Sequence, residues 1–334
     1  MRANVHAANG WFVSEPAVEP SRSTTSAATP GSVWATHAAL FIVQVAFASQ
    51  SVEAKIAMAP RALGGEALSP WAIAMARMLG ATLFFQIVTR LAGWLRTTTW
   101  RDQWKLAVFS ILGIALNQTL FLLGLRLTNP MSAALLMVTI PVLGAGMALL
   151  LGQERLSARL VIGIVVALSG VAWLTGVHSV DRGAIVVLGN CIAYAAYIVF
   201  SRETIRRLGA LTVITWVFTW GAILFAPLGA LPLVNGMATF TPRGWLFLSY
   251  IVVVPTIVAY LANAWALGRS NAALVTVYIY LQPLITALLA WIQLDQTPTP
   301  KMLFAGLLIV AGVALVASRR PAQSITSEEF SPDA

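Results

Sequence analysis

Charged side chains are scarce in this chain: Asp, Glu, Lys and Arg make up 10% of its 334 residues, against 58% hydrophobic. A soluble domain carries roughly 25% charged residues, so the composition excludes an ordinary water-soluble globule. Cysteine is almost missing. Cys191 alone excludes an internal disulfide framework and a Cys-rich metal site. The histidines, His6, His37 and His178, lie too far apart in the chain to form a zinc motif. No Gly-rich phosphate loop ending in Lys-Ser/Thr occurs, which argues against ATP-driven transport by this chain alone. No H-E-x-x-H or G-x-S-x-G motif points to an intramembrane protease or hydrolase. No filter-like loop or ring of charge marks a channel. No enzyme activity, metal or cofactor is expected.

The abundant feature is apolar length. Mean hydropathy is +0.80, and the hydrophobic share is enough for about ten membrane spans of roughly 20 residues. Ten apolar segments lie at 34–57, 68–89, 104–125, 131–151, 158–176, 184–202, 211–231, 244–267, 272–292 and 301–317. Ser69-Pro70, Asn129-Pro130, Thr241-Pro242 and Thr299-Pro300 each put a capping side chain before a proline at the first helical position. Capped runs this long are helices, since barrel strands would be shorter and would alternate. Residues 1–32 are polar and read as a disordered tail rather than a signal peptide, and 319–334 form a second, acidic tail.

The net charge of +9 could mark a nucleic-acid binder, but its placement reads as topology, and no nucleic-acid partner is expected. With the N-terminus in the cytoplasm, 14 Lys and Arg fall inside and 6 outside. The positive-inside rule then places both termini in the cytoplasm of a multi-pass protein of the inner, or cytoplasmic, cell membrane. Arg77 belongs to neither set, because it falls within the second span.

Shifting the sequence by 142 residues lays the third to fifth spans on the eighth to tenth without a gap. Thr99 meets Thr241, Arg101 meets Arg243, Asn129 meets Asn271, Pro141 meets Pro283, and Gly170 meets Gly312. Matched prolines, caps and loop lengths point to duplication. An odd number of spans per half turns the second half upside down. The fold expected is therefore an all-α membrane protein of ten transmembrane helices, built as two inverted five-helix repeats over 33–176 and 182–318. Inverted repeats are typical of secondary transporters, with a site near the midplane between the halves.

The stretch Asn117-Gln118-Thr119-Leu120-Phe121, then Gly124-Leu125, Ala133-Ala134, Pro141 and Glu154, together with Lys55 and Arg77, resembles an EamA-type domain of the drug/metabolite transporter superfamily. The resemblance implies two such domains in tandem. It also implies proton-linked or exchange transport of small organic metabolites, often export of amino acids and related compounds. Glu154 is matched by Gln296 in the second half, where the family often keeps an acid; either the neighbouring Asp295 substitutes or the outer loop has lost that interaction.

Arg77 lies near the membrane middle, where an arginine costs roughly 2.5–3.5 kcal/mol on insertion scales and so needs a partner or a wet cavity. It reads either as an anchor for a substrate carboxylate, with Glu53 as a titratable partner carrying a coupled proton, or as half of a structural ion pair with Glu53. Lys55 reads as a flank residue reaching the outer interface. Gln44, Gln50 and Glu53 make the first span unusually polar, and that face should look inward. Asn117 and Gln118 in the third span offer amides to a substrate or to a neighbouring helix. In the second half, Asn190, Tyr194 and Tyr197, then Trp216, then Tyr260 with Asn263, and Tyr278 with Gln282 are candidate cavity-lining groups. Aromatic walls with a few polar tips suit an amphipathic solute.

Gly163, Ala167 and Gly170, and on the tenth span Ala305 and Gly312, form small-residue faces for close packing within one chain or between the subunits of a homodimer. Pro141, Pro227, Pro255 and Pro283 should kink or interrupt their spans. The function expected is export of small organic metabolites by alternating access. A nucleotide-sugar or phosphorylated-solute exchanger and a membrane-embedded enzyme are the alternatives.

Overall fold

The computed structural model describes residues 30–152, 157–175, 181–267 and 278–317. Residues 1–29, the C-terminal tail, Glu154, Asn271 and the start of the ninth span lie outside the described residues; the helix of the first span begins at Pro30, inside the expected 1–32 tail. Among these residues there is no strand. The helices are α1 (Pro30–Met58), α2 (Pro70–Leu91), α3 (Trp100–Leu127), α4 (Pro130–Leu150) and α5 (Ala158–Thr175) in the first half. The second half holds α6 (Arg182–Leu208), α7 (Ala210–Met237), α8 (Pro242–Ala266), α9 (Leu281–Leu294) and α10 (Pro300–Ala317). Eight are long and apolar enough to cross a bilayer; α9 and α10 are shorter apolar helices over the described residues.

Most of the expected caps form. The backbone N–H groups of Ser132, Gly244 and Met302 donate to Asn129 Oδ1, Thr241 Oγ1 and Thr299 Oγ1 at 2.8, 2.9 and 3.3 Å. Each removes one of the unpaired donors of a helix start. Ser69 is the exception: it makes no side-chain cap bond, and α2 begins on Pro70 without one.

The duplication recurs in the backbone. Inside α3, residues Ile111–Leu116 widen into a π-helix, and inside α8 residues Val253–Val258 do the same, 142 positions later. The residues that permit it differ. In α8, Pro255 has no N–H to return to Ile251, and Thr256 Oγ1 donates to that carbonyl instead, at 2.9 Å. In α3 the matching position is Gly113, where a Cβ would stand 2.6 Å from the Tyr197 ring. The fourth and ninth spans also break alike, at Val138–Thr139 and at Tyr280, just before the matched Pro141 and Pro283. Pro227 does not interrupt its span: it sits with Pro232 inside a continuous α7.

The helix pairings exchange when the halves are exchanged. α3 packs on α6 as α8 packs on α1, and α4 meets α6 as α9 meets α1, while α2–α7 and α5–α10 map onto themselves. The α5–α10 pair uses the small-residue faces. A Cβ on Gly163 would lie 2.8 Å from the Gly312 carbonyl, and one on Gly312 would lie 2.6 Å from the Gly163 carbonyl. That face is thus consumed within the chain and is not free to join two subunits. The α2–α7 pair is held by stacked rings, Trp71–Phe225 at 5.9 Å and Phe85–Phe218 at 6.0 Å between centroids.

Polar ties join the halves at both ends of the bundle. At the end where α1 begins, Asp102 caps α3 through Thr99 and pairs with Arg207 from the last turn of α6. At the other end, Thr241 donates to Glu66 from the α1–α2 loop, and Arg243 lies 3.9 Å from that carboxylate. The same cap-and-carboxylate device therefore serves both inverted halves, with the acid carried by the cap's own helix in one and by the opposite half in the other.

Candidate functional site

A cavity of about 550 Å³ opens between α1, α2, α3, α4, α6, α8 and α9. Its wall contains pairs of residues 142 positions apart: Gln118 and Tyr260, Phe121 and Asn263, Met137 and Ile279, Ile140 and Gln282. Each half therefore contributes the same stretch of helix, and the cavity lies on the symmetry relation between them. Gln44, Phe47 and Gln50, at three-residue spacing, turn one face of α1 into it. Asn117, on α3, and Asn190, on α6, meet across it, with Asn117 Nδ2 donating to Asn190 Oδ1 at 2.5 Å. Tyr194 and Arg202 come from α6. One end is aliphatic, built of Ile140, Pro141, Gly144, Ala145, Ala148, Ile198 and Val199.

Arg77 reaches the wall from α2 and is 2% exposed. Its Nε donates to Thr256 Oγ1 at 2.8 Å, and its Nη1 donates to Gln118 Oε1 at 2.5 Å. Thr256 belongs to the π-helix of α8, and Gln118 follows the π-helix of α3. The guanidinium is thus clamped between the two irregular segments, one from each half. Both partners are neutral. Among the described residues lining the cavity there is no Asp, Glu or His, so the positive charge of Arg77 faces a space without a counter-charge. No group of three or more His, Cys, Asp or Glu gathers among the described residues in a way that could hold a metal ion.

Comparison with known proteins matches the model of the EamA-like transporter family twice, over residues 34–176 and 181–318. The chain belongs to that family. It is 27% identical to a Streptantibioticus cattleyicolor protein named "Probable terminal-alkyne amino-acid exporter", over 66% of this chain and 74% of that one. It is 25% identical to "Uncharacterized transporter YdfC" of Bacillus subtilis, over 75% and 82%. An uncharacterized transporter of Archaeoglobus fulgidus is 24% identical, over 66% and 78%. A solved crystal structure superposes with a TM-score of 0.55 at 19% identity, covering 85% of this chain and 96% of its own, a likeness of fold alone. The EamA-like chain is a multi-pass membrane transporter.

Within this EamA-like cavity the structure places Gln44, Gln50, Arg77, Asn117, Asn190, Tyr194, Tyr260, Asn263 and Gln282 on the wall. Glu53, Tyr197, Trp216 and Tyr278 are not brought there. Glu53 is half-buried on α1, and among the described residues no ion pair joins it to Arg77. Tyr197 stands behind Tyr194, against Phe109 and the Gly113 backbone. Trp216 packs into the apolar interior of the bundle. Tyr278 and His37 share a hydrogen bond of 2.7 Å between the hydroxyl and Nδ1. Lys55 does not simply reach for the interface: its Nζ donates to the carbonyls of Leu125, Arg126 and Thr128, closing the end of α3. Sequence reasoning missed Thr256 and the mouth residue Arg202. Thr256 was detectable as the polar residue one helical turn before Tyr260; Arg202 was hidden among the basic residues assigned to topology.

Proposed function

We propose that the chain exports small amphipathic organic acids, amino acids and related carboxylates among them, by alternating access between its two inverted halves. Arg77 carries the proposal. An arginine held near the membrane middle by an amide and a hydroxyl, with no acid on the surrounding wall, complements a negative group on a solute. At 4 Å and an effective dielectric constant of 20, such a pair is worth about 4 kcal/mol before desolvation. The amides of Gln50, Asn117 and Asn190 suit the polar remainder of the solute, and the aliphatic end suits its body. The exporter name of the Streptantibioticus relative supports the direction and the class. Both termini then lie in the cytoplasm, on the side where basic loop residues concentrate. A nucleotide-sugar or other phosphorylated solute is the weaker reading, since the described wall offers Arg77 and Arg202 as its basic groups.

Counterflow in proteoliposomes tests the proposal. A panel of labelled carboxylates is compared with their amides and with amines of the same carbon skeleton, in wild type and in Arg77→Gln at equal, correctly folded incorporation. Selective movement of the acids, lost in the variant, is the expected result. Equal movement of amides or amines would overturn the assignment of charge class, and acid transport surviving in Arg77→Gln would remove Arg77 from recognition.

A further inference from the structure

A second open cavity, of about 740 Å³, lies apart from the first, at the end of the bundle where α1 begins. It is bounded by the α2–α3 loop, the α6–α7 turn and the last turns of α8. Its walls are apolar, with Leu211, Val258 and Leu261 among them, and its rim carries Trp94, Trp265 and Arg96. Tryptophan at a helix end marks the headgroup level of a bilayer, so the cavity opens where lipid headgroups meet acyl chains.

Arg96 is set there by two bonds to the opposite half. Its backbone N–H donates to Thr212 Oγ1 at 3.1 Å, and its Nη1 donates to the Arg207 carbonyl at 2.9 Å. The bond through Nη1 orients the guanidinium and leaves the Nε and Nη2 edge, which matches the two oxygens of a phosphate. The described acids nearest this end are already engaged, because Asp102 pairs with Arg207 and Glu203 with Arg206. No acid lines the cavity among its described residues.

We infer that this groove is a binding site for one anionic phospholipid, its phosphate on the free edge of Arg96 and an acyl chain along α8 beside Leu261 and Ala262. The chemistry argues for lipid over a soluble phosphate, since a water-soluble anion would gain nothing from the apolar wall below Arg96. A lipid seated there touches both halves at once, which makes bilayer composition a determinant of how firmly they are joined at this end.

Native mass spectrometry of the purified full chain, titrated with phosphatidylglycerol or phosphatidylcholine, tests the site. One phosphatidylglycerol should be retained selectively. Arg96→Gln should lower its affinity about fivefold, the factor equivalent to about 1 kcal/mol for one basic residue at an anionic lipid surface. Ala262→Trp, which fills the groove and leaves Arg96 in place, should abolish retention, and it keeps the test decisive if Arg96→Gln fails to fold. Arg101→Gln removes an exposed charge at the same end but outside the groove, and should retain the lipid. Equal retention of phosphatidylcholine, equal loss in Arg101→Gln, or retention in a folded Ala262→Trp protein would overturn the inference. Displacement of the lipid by millimolar inorganic phosphate would reassign the Arg96 edge to a soluble anion and overturn the lipid assignment.

Discussion

Replacing Thr256 with valine asks whether the irregular segment of α8 positions the buried guanidinium. The change removes one hydroxyl, which accepts from Arg77 Nε at 2.8 Å and donates to the Ile251 carbonyl at 2.9 Å. A hydrogen bond to a charged group contributes about 1.5–3 kcal/mol in water-soluble proteins, whereas hydrogen bonds between membrane helices average about 0.6 and reach about 1.7 kcal/mol. Arg77 keeps Gln118 as an acceptor after the substitution, so the membrane range governs, and the charged donor puts the loss of positioning near its upper end, about 1.5 kcal/mol. The Ile251 carbonyl, left without the hydroxyl beside a proline, adds about 1 kcal/mol to the loss of stability. Transport should separate these effects. If Thr256 holds Arg77 in its carboxylate-binding orientation, KM for a transported acid rises about tenfold, the factor for about 1.4 kcal/mol. The thermal midpoint in detergent falls as well. Thr256→Ser keeps the hydroxyl and should keep both properties near wild type. A valine variant with unchanged KM and midpoint would refute the reasoning. A serine variant as impaired as valine would show that the methyl group, not the hydroxyl, does the positioning.

Gly312→Leu should abolish recovery of monodisperse protein, because its Cβ would sit 2.4 Å from the Ala167 nitrogen, whereas Gly146→Ala, whose Cβ would meet Ile164 at 3.7 Å, should be tolerated; size-exclusion profiles compare them. Lys55→Met leaves three carbonyls at the end of α3 without their ammonium donor, and should lower the thermal midpoint through a loss of about 1–3 kcal/mol. An unchanged midpoint would show that water replaces the amine. Glu53→Gln should leave the pH profile of transport unaltered, since the side chain is not part of the cavity wall; a flattened profile would assign the coupled proton to Glu53 after all.

Much of the architecture was legible because membrane helices obey simple constraints. A run of about 20 apolar residues has few alternatives to a helix in lipid, where every backbone group must find its partner within the segment. The 142-residue shift survived into three dimensions at the π-helices, at the breaks before Pro141 and Pro283, and at the paired residues of the cavity wall. The small-residue faces were recognisable as packing surfaces, but not which helix would meet them. Gly163 could equally have faced another subunit; its contact with Gly312 depends on how the two halves close on each other.

The environment of Arg77 was the least legible part. A buried arginine demands satisfaction of its charge and donors, and that demand is visible in one dimension. Glu53 was the nearest acid in the neighbouring span, so a pairing there was a natural expectation. The partners found are Thr256 and Gln118, 179 and 41 residues away. Neither carries a charge.

Composition and repeat thus determined that the chain spans a membrane as two inverted halves, because hydropathy and helix-breaking residues act locally along the chain. Which side chains would share a cavity was decided only when helices from opposite halves packed together. Hydrogen-bond partners are chosen by distance in space, and in a bundle of inverted repeats that distance bears no simple relation to separation in sequence.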